Sequence, residues 1–120
     1  MLKSLQEESF RIVVIANNLS EQIRAGEERK NSLLRTVTVA SRLLHKIDTS
    51  SDLGRLRAVA PLMDCSTYYT EALIWLNLFI TDGLLEENQA RELGCACREM
   101  IEAIKTVTEQ MSREAKAVPL

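Results

Sequence analysis

The chain has 120 residues, of which 46% are hydrophobic, and its 17 acidic and 15 basic side chains give a net charge of −2. Such a length fits one domain that buries its core without disulfides or metal. The charge gives no general attraction to nucleic acid or to an acidic membrane, and no apolar run approaches the roughly 18 residues of a membrane span.

Two further features indicate the compartment. The first ten residues, MLKSLQEESF, contain acidic side chains and no apolar run, so they do not resemble a secretory signal. The three cysteines are an odd number without paired spacing, which is typical of a reducing environment. We therefore expect a cytoplasmic protein without a membrane partner.

Apolar residues recur every three or four positions along most of the chain, which predicts amphipathic helices. With only four glycines and two prolines, the sequence has little turn chemistry for a β-sheet. The predicted helices span residues 2–24, 31–47, 53–81 and 86–112.

The links between these helices are short. Gly26 is predicted to close the first helix, and the charged residues 27–30 reverse the chain. Either Asn31 or Ser32 can cap the second helix. Residues 48–52 are rich in side chains that bond their own backbone, so they are predicted to form a loop.

The third predicted helix raises one question. Ser51 or Asp52 is expected to cap it, but Pro61 follows within the same apolar register. Three readings are open: a separate short helix over residues 53–60, a late start, or a bend. We favour a bend or a late start, since the register continues without a break.

The third helix is followed by a tight reversal at Asp82-Gly83, where glycine permits a left-handed residue after the helix. Short links force neighbouring helices to be antiparallel. The sequence thus predicts an all-α, up-down-up-down four-helix bundle as a single domain over residues 1–120, with a frayed tail at 113–120.

The end of the third helix is apolar on more sides than one core can cover. One face is formed by Tyr69, Leu73, Leu76 and Ile80, and a second group widens it. A helix that is apolar nearly all round must be buried on more than one side. We therefore expect a homo-oligomer, whose interface contains Ile74, Trp75, Leu78 and Phe79.

Three segments resemble a known family. They are Leu33-Leu34-Arg35, Glu71 with Trp75-Leu76 followed by Thr81-Asp82-Gly83-Leu84-Leu85, and Glu86-Glu87 through Ile104-Lys105-Thr106. Together they resemble the small bacterial four-helix-bundle proteins first noticed as reading frames inside intervening sequences of 23S rRNA genes. One departure is Leu43-Leu44-His45-Lys46-Ile47-Asp48, where that family usually has an Asn-Ile-Ala-Glu-Gly-like segment.

The resemblance implies a cytosolic bundle that assembles into a ring, with a pentamer as the expected size. It implies no enzymatic activity, because none is established for that family. A relative, the accessory protein of diversity-generating retroelements, works with a reverse transcriptase and nucleic acid through a basic surface. The resemblance therefore also makes RNA or DNA a candidate partner.

No motif for catalysis, metal or cofactor binding is present. His45 is the only histidine, and Cys95 and Cys97 are two residues apart, so on a helix they point about 200° apart and cannot share a zinc ion. Cys65 and Cys97 are expected in the core, and Cys95 is expected on the surface or at an interface. The carboxylates lack the Glu-x-x-His pairs of di-iron bundles, so we expect a solvated acidic face formed by Asp64, Glu99, Glu102 and Glu109.

Charge is unevenly distributed. Residues 24–57 contain eight basic and four acidic side chains, whereas residues 58–120 contain five basic and ten acidic ones. The resulting basic stripe can bind a phosphate backbone, pair with the acidic fourth helix of a neighbouring subunit, or simply be solvated. The candidate nucleic-acid-binding residues are Arg24, Arg29, Lys30, Arg35, Arg42 and Lys46. The sequence thus favours a non-enzymatic oligomeric scaffold, with a nucleic-acid-binding accessory protein as the alternative.

Overall fold

The computed structural model describes residues 2–24 and 26–117, with side chains described as far as residue 114. This part of the chain is all-helical and contains no strand. It forms four helices: α1 (Leu2–Ser20), α2 (Glu27–Lys46), α3 (Asp52–Thr81) and α4 (Glu87–Ala117). The predicted all-α class and the number of helices are confirmed.

The four helices pack side by side in chain order. α1 contacts α2 and α4, and α3 contacts the same two helices, whereas no Cα of α1 lies within 8 Å of a described Cα of α3. The amide Nε2 of Gln6 near the start of α1 donates to the carbonyl of Leu44 near the end of α2 at 2.9 Å, so these two neighbours are antiparallel. The molecule measures 55 × 20 × 19 Å.

None of the helices within the described ranges combines the length and the apolar composition that crossing a bilayer requires.

The core lies between the four helices and is almost entirely apolar. Its polar members include Ser9 and Ser41, whose hydroxyl oxygens are 2.9 Å apart in the contact between α1 and α2. This pair satisfies the hydroxyl groups without water. The largest fully buried side chains include Ile12, Ile23, Leu33, Leu44, Leu62, Tyr69, Phe79, Leu93, Met100 and Ile104.

The link between α1 and α2 differs from the prediction. α1 ends at Ser20, four residues early, and α2 begins at Glu27, so residues 27–30 form the first helical turn instead of the reversal. Gly26 makes this start possible because its φ of 74° is left-handed. The acidic side chains that follow it are favoured at a helix N-terminus, and no side chain is needed as a cap.

The start of α3 excludes two of the three readings of Pro61. Ser51 caps the helix as predicted, and its hydroxyl accepts from the backbone N–H of Gly54 at 2.9 Å. The helix then runs from Asp52 through Pro61 without interruption, so the predicted late start and the separate short helix are both wrong. Packing of α3 against two neighbours outweighs the backbone hydrogen bond that proline cannot make.

The turn between α3 and α4 is confirmed. Gly83 has a left-handed φ of 75°. Its N–H donates to the carbonyl of Ile80 at 3.1 Å, and the N–H of Leu84 donates to the carbonyl of Phe79 at 2.9 Å. These two bonds define a Schellman motif, which satisfies the last carbonyls of α3.

The end of α4 lies beyond its predicted limit. The helix continues to Ala117, so the part of the expected frayed tail at residues 113–117 is helical. The remainder of that prediction, residues 118–120, lies outside the described residues.

Candidate interaction surface

The most unusual surface lies on the outside of α3. Eight exposed side chains follow one another there at alternating spacings of three and four residues, and none of them is charged. We call this the outer row of α3: Leu53, Leu56, Ala60, Met63, Thr67, Thr70, Ile74 and Asn77. This spacing is the heptad pattern of a helix seam that contacts another helix.

α3 therefore has two such rows. The inner row is buried in the core and consists of Ala58, Leu62, Cys65, Tyr69, Ala72, Leu76 and Phe79. The outer row has the same period but is exposed to solvent. The corresponding exposed positions of α4 carry four glutamates instead: Glu92, Glu99, Glu102 and Glu109. Of these two helices only α3 thus presents an uncharged outer row.

The predicted oligomer-interface residues do not all lie on this surface. Ile74 is 55% exposed and Leu78 is 41% exposed, as an interface requires. Phe79 is fully buried, so its assignment to a surface contact is wrong. A Cβ on Gly26 would lie 3.8 Å from the ring of Phe79 and 3.5 Å from the side chain of Leu84, so the α1–α2 link and the α3–α4 link meet at this end of the molecule.

Trp75 occupies an intermediate position. Its side chain is half-buried, and its indole Nε1 is buried with no hydrogen-bond partner among the described residues. The ring therefore contributes more to the packing of the monomer than to the free surface. Of the four predicted interface residues, Ile74 and Leu78 remain exposed.

The predicted basic residues are divided between two roles. Lys30 is only 14% exposed in its side chain, and its Nζ donates to the carbonyl of Ile23 at 2.8 Å and to Glu27 at 2.9 Å. Arg29, in the first turn of α2, is ion-paired with Asp82, which follows α3. Both side chains are thus used within the monomer.

The other four basic residues are exposed. Arg24, Arg35, Arg42 and Lys46 form no ion pair with any described residue. Lys46 lines a surface groove between α2 and α3, together with Arg57 and Pro61. Four of the six candidate nucleic-acid-binding residues are therefore exposed and unpaired among the described residues, and their binding of nucleic acid stays a prediction.

A second basic row lies on α4, where the sequence predicted acidic charge. Arg91, Arg98 and Lys105 are exposed, seven residues apart, and form no ion pair within the described part of the chain. Seven residues are about two turns, or roughly 10 Å along the helix. The spacing was visible in the sequence, but the excess of acids over residues 58–120 concealed it.

Two of these cations border α3. Arg91 and Arg98 line an open groove of about 350 Å³ between α3 and α4, which also contains Asn77 and Ile80. The guanidinium of Arg98 lies over Gly94, about 3.5 Å from where a Cβ would be. The grooves beside the outer row of α3 therefore carry charges of both signs: Glu87 lies with the two arginines on the α4 side, and Asp48 lies with Lys46 and Arg57 on the α2 side.

The three cysteines and the single histidine differ in exposure. Cys65 and Cys97 are buried as predicted, and burial raises the pKa of their thiols to about 11 and about 12. Cys95 is exposed, and so is His45, whose Nδ1 lies 2.8 Å from the carbonyl of Ser41. The buried thiols stay protonated at neutral pH and are poor nucleophiles.

The carboxylates named above are dispersed. Asp64 lies on α3, and Glu99, Glu102 and Glu109 lie on α4, all of them exposed. In the ranges with described side chains, no three His, Cys, Asp or Glu residues come together in a way that could hold a metal ion.

Comparisons of the chain with protein-family models, with curated proteins and with solved structures gave no match. The resemblance to the proteins of 23S rRNA intervening sequences therefore rests on the sequence motifs alone and stays a prediction. The surface feature that bears on function is the outer row of α3, which is exposed and uncharged. Arg91 and Arg98 lie in the groove beside it.

Proposed function

We propose that this protein is a non-enzymatic, homo-oligomeric four-helix bundle that acts as a scaffold for a macromolecular partner. The observation that carries the proposal is the outer row of α3, an uncharged seam exposed on a helix whose inner row already fills the core. A monomeric bundle helix needs one apolar stripe, and a second one at heptad spacing is suited to contact another helix.

The size of the row supports a specific contact. It extends over residues 53–77, which at 1.5 Å per residue is about 36 Å. Its large apolar members, together with Leu78, are Leu53, Leu56, Met63 and Ile74, each more than two-fifths exposed. Full burial of such a side chain contributes about 1.5–3 kcal/mol, so covering the row favours association strongly.

The arrangement of the helices supports the antiparallel up-down-up-down bundle. Arg55, near the start of α3, lies 3.7 Å from Glu114, near the end of α4, so these helices run in opposite directions. Gln22, after α1, bonds Gln89, at the start of α4, at 3.2 Å. A ring of such bundles, with five subunits as the resemblance implies, is the assembly we propose.

The proposal is tested by the absolute molar mass of the purified chain, measured by light scattering at tens of micromolar. We expect a multimer for the wild type. The variant Ile74→Asp places a charge in the outer row and should lower the affinity of association at least about tenfold, toward a monomer of 13.5 kDa.

Asn88→Asp is a matched control. It adds the same charge at an exposed position in the first turn of α4, away from the outer row. It should leave the molar mass unchanged. A wild-type protein that is monomeric under these conditions would contradict the proposal, and so would equal dissociation by both variants.

A second candidate function is binding of RNA or DNA. The observation in its favour is that Arg35, Arg42 and Lys46 on α2, and the row Arg91, Arg98 and Lys105 on α4, are exposed without ion pairs among the described residues. Cations that are not neutralised by the protein can bind phosphates and release counterions.

This second candidate is tested by fluorescence anisotropy with labelled single- and double-stranded RNA and DNA. Binding should weaken steeply as salt is raised, and Arg35→Gln with Arg42→Gln should reduce the salt dependence by about two phosphate contacts. Lys30→Gln is not a suitable probe, because Lys30 bonds the α1–α2 link. Absence of binding at low salt would exclude this candidate.

A further inference from the structure

We draw no further inference here: the strongest candidate, the exposed and uncharged outer row of α3, carries none because nothing in the described part of the chain shows what covers it, and the grooves beside it hold charges of both signs.

Discussion

Ile74 and Phe79 are five residues apart on α3, and their side chains have opposite environments: Ile74 is 55% exposed, whereas Phe79 is fully buried against the core. A charge at the two positions should therefore have different effects on folding. Phe79→Asp should lower the free energy of unfolding by about 3–5 kcal/mol, because it removes a buried ring and introduces a carboxylate into the core. Ile74→Asp should change it by no more than about 0.5 kcal/mol.

The measurement is urea unfolding followed by circular dichroism, at a concentration low enough for every variant to be monomeric. Dilution matters because association would add to the apparent stability of the wild type. Similar losses of stability in both variants would contradict the assignment of Ile74 to the outside of α3.

Two glycines in the second half of the chain should respond oppositely to alanine. Gly83 has a φ of 75°, and no atom beyond its chain neighbours lies within 4 Å of the position that a methyl carbon would take, so Gly83→Ala should cost about 1–2 kcal/mol through the backbone alone. Gly94 lies inside α4, where a Cβ would be about 3.5 Å from the flexible guanidinium of Arg98. Gly94→Ala should stabilise the protein by about 0.5–1 kcal/mol. Thermal unfolding of both variants checks this, and a Gly83→Ala protein as stable as the wild type would refute it.

The features that depend on neighbours in sequence were predictable. The period of three and four residues predicted amphipathic helices, and the buried side chains of α1, among them Ile12 and Leu19, follow that period because a core contacts one side of a helix. Ser51 and Gly83 were recognised because capping and left-handed turns are made by the residue itself.

The features that depend on distant parts of the chain were not predictable. Phe79 continues the inner row of α3, but the sequence does not say which of two apolar rows on one helix faces its own core. Arg91 and Arg98 were concealed because a net charge over a long segment averages the faces of α4. These two cations, with Glu87, line the groove beside α3, whereas Glu92 and Glu99 act on Arg11 of α1. The surface that matters for function thus required the packing of the helices.

Pro61 should destabilise the helix that contains it. A proline inside a helix removes one backbone hydrogen bond and crowds the carbonyl four residues earlier, here that of Arg57. Pro61→Ala should raise the free energy of unfolding by about 1–2 kcal/mol, less than the full cost of a proline in a helix, because the half-buried ring lines a groove together with Leu43. Ala60→Pro, at the exposed preceding position, should lower it by about 3 kcal/mol. Urea unfolding measures both, and a less stable Pro61→Ala protein would show that the proline is required for packing.

The buried thiols should make the protein less stable in alkali. Burial raises the pKa of Cys65 to about 11 and that of Cys97 to about 12, from 9.0, whereas both ionise near their ordinary pKa in the unfolded chain. The unfolded state then binds fewer protons above pH 9, so the stabilisation is complete below that pH and is lost as pH rises toward the folded pKa values. Between pH 9 and 10 the free energy of unfolding should fall, by at most about 1.4 kcal/mol per pH unit for each thiol. In urea unfolding across this range, the free energy of unfolding should fall less steeply with pH for Cys97→Ala than for the wild type, and as steeply as in the wild type for the exposed Cys95→Ala. Equal slopes in the wild type and both variants would contradict the burial of the Cys97 thiol as the cause.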